Sequence, residues 1–136
     1  LSAHHYFRDF MACDSGMIPW LLVASAVSGS GESLRDLVAA RRAAFPSSGE
    51  LNFRVPDPAT AIAAVRAALS GMAEEVDETD GLGLSFGDWR CNVRASNTEP
   101  LLRLNVEARG SAARVEEGVA MLRRLIEHAG PEPETT

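Results

Sequence analysis

Lysine is absent from this sequence, cysteine is scarce, and no apolar run is long enough to cross a bilayer. Because all 13 basic residues are arginines, any anionic ligand must be bound through guanidinium groups. Cys13 and Cys91 lie far apart without His or Cys at metal-ligand spacing, which favours reduced, inert core thiols in a cytoplasmic protein. No basic-then-apolar signal segment is found, so no membrane partner is predicted.

The composition is typical of a globular protein. The 136 residues are 46% hydrophobic and 24% charged, enough for one full domain and part of another. A net charge of −6 with no basic stripe argues against nucleic acid as a partner. Since the sequence opens with Leu1 rather than Met, inside a motif-like stretch, we expect it to be a piece of something longer.

The first 45 residues are predicted to be mainly helical. A mostly apolar helix should begin near Asp14 and end at the Ser-Gly-Ser-Gly break of residues 28–31. A second helix should begin at Ser33, which forms a capping box with Asp36. This half lacks the strands needed to close a sheet, so it should expose apolar surface. Three aromatic residues near its start are nevertheless expected to be buried: Tyr6, Phe7 and Phe10.

Residues 46–50, Pro-Ser-Ser-Gly-Glu, are predicted to link two domains, 1–45 and 51–128. Beyond the linker, apolar alternation and turn residues predict the order β-α-β-β-β-β-α. The two helices should begin at Asp57-Pro58 and near Ser111. Residues 129–136 should form a solvated, disordered tail.

These elements predict an α+β fold. The C-terminal domain should be an antiparallel sheet with its helices on one face, a TBP-like arrangement. The residues before it should be the helical remnant of an α/β domain.

The most informative segment is the polar turn, residues 94–100, Arg-Ala-Ser-Asn-Thr-Glu-Pro, which lies between two apolar, strand-like runs. A guanidinium group, hydroxyls, an amide and backbone N–H groups in a concave turn suit a phosphate dianion. From local sequence alone, a simple polar turn is an equally good interpretation. Glu99 could orient Arg94, and Arg103 on the following strand is expected to be only solvated.

Three segments together resemble the carboxyl-terminal part of a phosphomannomutase/phosphoglucomutase, in the α-D-phosphohexomutase superfamily. They are Leu1-Ser2-Ala3-His4, Asp14-Ser15-Gly16-Met17 and the polar turn, and the similarity extends to about residue 128. The Ser-Asn-Thr-Glu-Pro sequence is the most specific of them. Phosphoglucosamine mutases usually have Gly in place of Asn97, which favours the mannose/glucose branch.

The resemblance implies an isomerase that interconverts hexose 6-phosphates and 1-phosphates through a bisphosphorylated sugar. Such enzymes have four domains, with a phosphoserine in the first and a Mg²⁺-binding aspartate loop in the second. This chain would hold the end of the third domain and all of the fourth, and would be inactive alone. Its partners would be a phosphorylated hexose and the missing N-terminal domains, with a glucose 1,6-bisphosphate-type intermediate as activator.

The resemblance also implies roles for particular residues. Ser2 would hydrogen-bond a sugar hydroxyl, and His4 would accept a proton from the attacking hydroxyl. The phosphate that is not transferred would be held by the polar turn, through Arg94, Ser96, Asn97 and Thr98. No residue of this chain matches the metal-binding loop or the phosphoserine.

Two other functions stay open at the level of sequence. The chain could be a non-catalytic phosphosugar-binding module, which would lack the nucleophile and metal loop in the whole gene. It could also be an interaction domain that uses the apolar face of residues 14–45. The mannose or glucose preference is equally open, since much of the sugar site would lie upstream.

Overall fold

The computed structural model describes residues 4–96, 98, 99 and 101–129, and the chain divides into two compact units, residues 1–41 and 42–136. The predicted tail therefore lies outside the described residues except for Ala129. Among the described residues, no helix is both long and apolar enough to span a membrane.

The first unit contains a two-stranded antiparallel ribbon and helical structure. Strand β1 (Tyr6–Phe7) pairs with β2 (Cys13–Asp14), with Tyr6 opposite Asp14. Helix α1 (Met17–Ser30) follows, and α2 (Leu34–Ala44) crosses the division between the units. The predicted helical character is confirmed.

The burial expected for the early aromatic residues is wrong. Tyr6 is 69% exposed and Phe10 is 46% exposed, while Phe7 is half-buried. Strands of two residues form too small a surface to hold a second layer of side chains against them. No residue from 4 to 41 is buried, and the apolar side chains of α1 are open to solvent, among them Trp20 at 62%. The predicted exposure of apolar surface in this half is confirmed.

The ends of the helices follow local capping chemistry. The predicted break at residues 28–31 is confirmed, because α1 ends at Ser30 and Gly31, whose φ of 71° is left-handed, is its C-cap. Gly29 lies within the last turn of α1, where a single glycine costs only about 1 kcal/mol. The predicted cap at Ser33 is confirmed, since Ser33 Oγ accepts from the Asp36 N–H at 3.2 Å, and the Asp36 carboxylate accepts from the Ser33 hydroxyl at 2.6 Å.

The second unit is a five-stranded antiparallel sheet of order β3-β7-β6-β5-β4. The predicted β-α-β-β-β-β-α order is confirmed, and with it the α+β class. Its elements are β3 (Leu51–Arg54), α3 (Pro58–Leu69), β4 (Glu75–Asp77), β5 (Leu82–Ser85), β6 (Trp89–Ala95), β7 (Leu101–Ala108) and α4 (Ala112–Glu127).

The core lies between one sheet face and the helices α3 and α4. Alternate residues along the strands are buried there, as the period-two pattern predicts. Each fully buried leucine, such as Leu104 or Leu122, contributes roughly 2 kcal/mol through removal of apolar surface from water. The intervening residues form the opposite, polar face: Arg90, Asn92 and Arg94 on β6, and Arg103, Asn105 and Glu107 on β7.

The segment predicted as a linker runs along the edge of β7. Pro46 O accepts from the Ala108 N–H at 3.0 Å, and the Ser48 N–H donates to Val106 O at 2.8 Å. Because Leu51 pairs with Leu104 further along, both sides of Glu50 are fixed to the same strand. The segment thus continues the line of β3, and the domain boundary at residues 46–50 stays a prediction.

Candidate functional site

The polar turn connects β6 and β7 at one end of the sheet. The last strand pair is Ala95 with Leu102, and the Ser96 N–H donates to Leu101 O at 2.8 Å, which closes the hairpin. Ser96 and Thr98 follow directly beyond that closure. Their placement follows from the strand alternation, because the apolar residues of both strands must face the core.

The two hydroxyls of the polar turn are neighbours. Ser96 Oγ lies 3.5 Å from Thr98 Oγ1 and also 3.5 Å from the Thr98 nitrogen. Both distances are at the long limit of hydrogen bonding, so the hydroxyls are weakly engaged with each other. Asn97, predicted to bind the same ligand, lies outside the described residues. The structure therefore brings Ser96 and Thr98 together, two and four residues beyond Arg94.

Arg94 lies on the polar face of the sheet between two carboxylates. Its Nη2 donates to Glu50 Oε2 at 3.2 Å, and its Nη1 is 3.9 Å from Asp80 Oδ2. Only 26% of the Arg94 side chain is exposed. The carboxylates that contact this guanidinium group are thus those of Glu50 and Asp80, whereas the sequence suggested Glu99.

Arg103 stands directly opposite Arg94 on the neighbouring strand. Its Nε lies 3.6 Å from Glu50 Oε1, and its side chain is 30% exposed. The expectation that Arg103 is only solvated is wrong, because the register places it beside a second arginine and the same carboxylate. Like charges directly opposite in a sheet repel each other, so Glu50 offsets an unfavourable pair.

The tight turn between β4 and β5 packs directly against the backbone of β6 at Arg94. Gly81 has a φ of +80°, and a Cβ there would come within 2.5 Å of Val93 O and 2.9 Å of Arg94 Cα. The Asp80 carbonyl accepts from Asn92 Nδ2 at 2.8 Å, which ties the turn to the polar face. Only glycine allows this close approach of the turn to the backbone of β6.

The arrangement can bind an anion with several oxygen atoms. Guanidinium groups offer fixed, charge-assisted donors, and the adjacent hydroxyls add neutral ones. It offers no evident metal site, since no three His, Cys, Asp or Glu side chains cluster suitably within residues 4–96, 98–99 and 101–129.

The histidine predicted to be catalytic is paired with an acid. His4 Nδ1 contacts Asp14 Oδ2, and the other oxygen of Asp14 accepts from the His5 N–H at 3.2 Å. The hydrogen bond from His4 is the main cause that lowers the pKa of Asp14 below its usual 3.8. The His4 side chain is 55% exposed, so it is open to a ligand. Ser2, its predicted neighbour in the sugar site, lies outside the described residues.

The turn between β1 and β2 brings Asp14 beside His4. Met11 and Ala12 both have a φ of 53°, in the left-handed region that residues other than glycine rarely adopt. The Ala12 N–H donates to Phe7 O at 3.0 Å and closes the turn. The strained turn thus sets the register in which Asp14 meets His4.

The two thiols differ, although the sequence predicts both to be inert core groups. Cys91 is buried, and burial raises the pKa of its thiol to about 12. Cys13 is exposed, so the prediction is wrong for that residue. Cys13 lies in the two-stranded ribbon of β1 and β2, and no residue from 4 to 41 packs into a buried core.

Three residues that organise these sites are not identified by sequence reasoning. The sequence pattern assigns Glu50 to the linker, Asp14 to the start of a helix without pairing it with His4, and Gly81 only to a turn. An indirect signal exists for Gly81, because Asp-Gly between strands predicts a tight hairpin. No local signal pairs Glu50 with Arg94, since 44 positions separate them.

Comparison with known proteins gives two matching family profiles. The profile of the phosphoglucomutase/phosphomannomutase C-terminal domain matches residues 50–125, and that of the alpha/beta/alpha domain III matches residues 1–45.

Individual relatives agree with the profiles. Over 93% of its length the chain is 57% identical to a phosphomannomutase from Salmonella montevideo, and 56% identical to a protein named phosphohexose mutases from Xanthomonas campestris pv. campestris (strain B100). The chain spans 28% of the length of each. A crystal structure of a phosphoglucomutase/phosphomannomutase family protein from Burkholderia thailandensis superposes with a TM-score of 0.67 at 27% identity, covering 96% of this chain and 28% of the other.

Proposed function

The chain belongs to the phosphoglucomutase/phosphomannomutase family, and on that premise we propose that it supplies the phosphate-binding turn and part of the sugar site of a phosphohexomutase. The reaction would interconvert mannose or glucose 6-phosphate and 1-phosphate through a bisphosphorylated sugar. The other catalytic parts would come from domains that correspond to the remaining length of the relatives. A cytoplasmic location belongs to the same proposal.

The observation that carries this proposal is the succession of anion donors along residues 94–98 at one end of the sheet. Arg94 lies on the polar face, and the hydroxyls of Ser96 and Thr98 follow it in the turn. A guanidinium group and two hydroxyls suit the phosphate that stays attached while the other is transferred. Asn97 is proposed as a further donor to the same phosphate.

Binding the distant phosphate would assist a reaction that occurs elsewhere on the sugar. Phosphoryl transfer depends on positioning and charge stabilisation, so a fixed remote phosphate aligns the reacting hydroxyl. Because the bisphosphorylated intermediate must turn around, the same donors must accept either phosphate and then release it. Hydroxyls and guanidinium groups recognise a phosphate without regard to the carbon that bears it.

His4 is proposed to take the proton from the attacking hydroxyl, with Ser2 contacting a neighbouring sugar hydroxyl. Asp14 holds Nδ1 of the ring, so Nε2 is the nitrogen that would face the substrate. Such a positioned base typically contributes about a hundred- to ten-thousand-fold in rate. Mg²⁺ and a glucose 1,6-bisphosphate-type activator are proposed for the complete protein, with the metal held by residues outside this chain.

The decisive experiment is Arg94→Ala in the complete protein, with steady-state kinetics on glucose 1-phosphate and mannose 1-phosphate. Loss of charge-assisted donors to a phosphate should lower kcat/KM at least about a hundredfold. Arg90→Ala is the matched control, because Arg90 lies on the same face of the same strand but pairs with Glu107. It should change kcat/KM less than about threefold.

Equal kinetics for the Arg94 variant and the parent would overturn the assignment of the phosphate to the polar turn. If the parent protein binds sugar phosphates but interconverts none of them, the chain is instead a phosphosugar-binding module. The comparison of two substrates also decides between mannose and glucose preference.

A further inference from the structure

Glu50 lies between two arginines on the polar face of the sheet. Its Oε2 accepts from Arg94 Nη2 at 3.2 Å, and its Oε1 is 3.6 Å from Arg103 Nε. The two guanidinium groups come from directly opposite positions on β6 and β7. One carboxylate therefore faces both Arg94, which belongs to the proposed phosphate site, and Arg103 beside it.

The place of Glu50 is set by the backbone on either side of it. The Ser48 N–H donates to Val106 O at 2.8 Å, and Leu51 pairs with Leu104. The carboxylate is thus attached to the edge of β7 through its chain neighbours, while its own side chain is 40% exposed. A half-exposed side chain on a fixed backbone can change rotamer at low cost.

Glu50 does not provide a hydrogen-bond acceptor for every N–H donor of the two arginines. The Nε of Arg103 is buried and has no hydrogen-bond partner among the described residues, because the contact with Glu50 Oε1 exceeds hydrogen-bonding distance. A phosphate dianion offers more acceptor oxygens than a carboxylate and carries about twice the charge. The pair of arginines therefore has donor capacity that a phosphate would use and that Glu50 does not.

Charge balance at the site points in the same direction. Arg94 and Arg103 share the carboxylate of Glu50, and Asp80 Oδ2 lies 3.9 Å from Arg94 Nη1. A dianion gains less attraction from guanidinium groups whose charge is already offset by the Glu50 carboxylate. It gains more when Glu50 moves away and leaves the guanidinium groups to it.

From these contacts we propose that Glu50 is a displaceable internal anion, which holds Arg94 and Arg103 while the phosphate site is empty and gives way to a phosphate dianion. This inference rests on the proposed function. Competition from Glu50 lowers the affinity for phosphate, which lets a bound phosphate leave when the sugar bisphosphate turns around. Glu50 therefore sets affinity and release, and takes no part in bond making.

The test is a titration of the 136-residue chain with inorganic phosphate at constant ionic strength, followed by the amide NMR signals of Ser96 and Thr98. Glu50→Gln keeps the size and one acceptor oxygen but removes the charge. We expect it to bind phosphate about two- to fivefold more tightly than the parent, the range set by a partly exposed ion pair. Glu107→Gln removes an equivalent carboxylate from the Arg90 pair on the same face and should leave the affinity unchanged.

A double variant, Arg94→Ala with Glu50→Gln, shows whether the expected gain in phosphate affinity depends on Arg94. In an Arg94→Ala background, Glu50→Gln should no longer tighten binding, because the freed guanidinium group is missing. Unchanged or weaker binding by Glu50→Gln alone would overturn the inference, as would the absence of phosphate-dependent shifts in both proteins. The kinetics of Arg94→Ala in the complete protein decide the proposed function separately, so the two can fail independently.

Discussion

Asp14 is the residue that orients the exposed side chain of His4. Its carboxylate contacts His4 Nδ1 and also accepts from the His5 N–H, so both the ring and the adjacent backbone are held. The pKa of Asp14 is lowered mainly by the hydrogen bond from His4. The pairing therefore contributes above about pH 3.8 and is lost as the pH falls through the lower, folded-state pKa.

We predict that Asp14→Asn in the complete protein lowers kcat about tenfold while KM changes less than about threefold. An amide in place of the carboxylate no longer favours the orientation and charge that proton acceptance requires. Asp9→Asn, a nearby exposed carboxylate, is the control and should have parental kinetics. Steady-state assays and the pH profile of kcat measure the effect; parental values for the Asp14 variant would exclude a positioning role.

The two cysteines should react very differently with a thiol reagent. Cys91 is buried, and its pKa of about 12 leaves almost no thiolate at neutral pH, whereas Cys13 is exposed. We expect native protein near neutral pH to react rapidly at one thiol and denatured protein at both, measured with a chromogenic disulfide. Cys13→Ser should abolish the rapid phase. A rapid reaction at Cys91 would contradict the burial of β6.

Among the elements, the turn at Asp80-Gly81 is the one whose backbone conformation affects the position of Arg94. Its glycine combines a left-handed φ with direct packing against the β6 backbone at Arg94. Gly110 has a similar φ of +68°, but the space that an alanine methyl group would occupy there is open. Comparison of substitutions at the two glycines therefore separates the cost of the left-handed φ from the cost of overpacking.

We predict that Gly110→Ala lowers the free energy of unfolding by about 1–2 kcal/mol, the cost of a left-handed alanine. Gly81→Ala should cost a further 1–3 kcal/mol, roughly the range for overpacking, and should also weaken phosphate binding by displacing Arg94. Urea denaturation and the phosphate titration measure both. Equal destabilisation by the two substitutions would show that Gly81 has no packing role.

The helices show which elements a sequence predicts well. Asp57 caps α3 by accepting from the Ala59 N–H at 2.9 Å, and Ser111 caps α4 by accepting from the Arg114 N–H at 3.1 Å. Both helix starts are predictable, because a cap is an interaction within three residues. The end of α1 is predictable for a similar reason, because a glycine such as Gly31 adopts the left-handed φ of a C-cap at little cost.

At the scale of the molecule, stability is concentrated in the second unit. In the part of the chain that the structure describes, every buried hydrophobic residue lies between Phe53 and Ile126, while no residue from 4 to 41 is buried. We predict that residues 42–129 produced alone unfold cooperatively, with near-ultraviolet dichroism from the buried Trp89, whereas residues 1–41 alone show no cooperative transition. Thermal melts of both pieces measure this. A 42–129 piece without fixed aromatic signals would contradict it.

The sequence by itself determined the order of the elements, the alternation that places one face of each strand in the core, and the composition of the polar turn. These depend on interactions between near neighbours and on periodicity, which any single chain displays. Tertiary structure decided which carboxylates meet Arg94, that Arg103 stands opposite it, and that Gly81 packs behind it. The physical reason is register: residues 44 positions apart, such as Glu50 and Arg94, meet only after three strands have aligned.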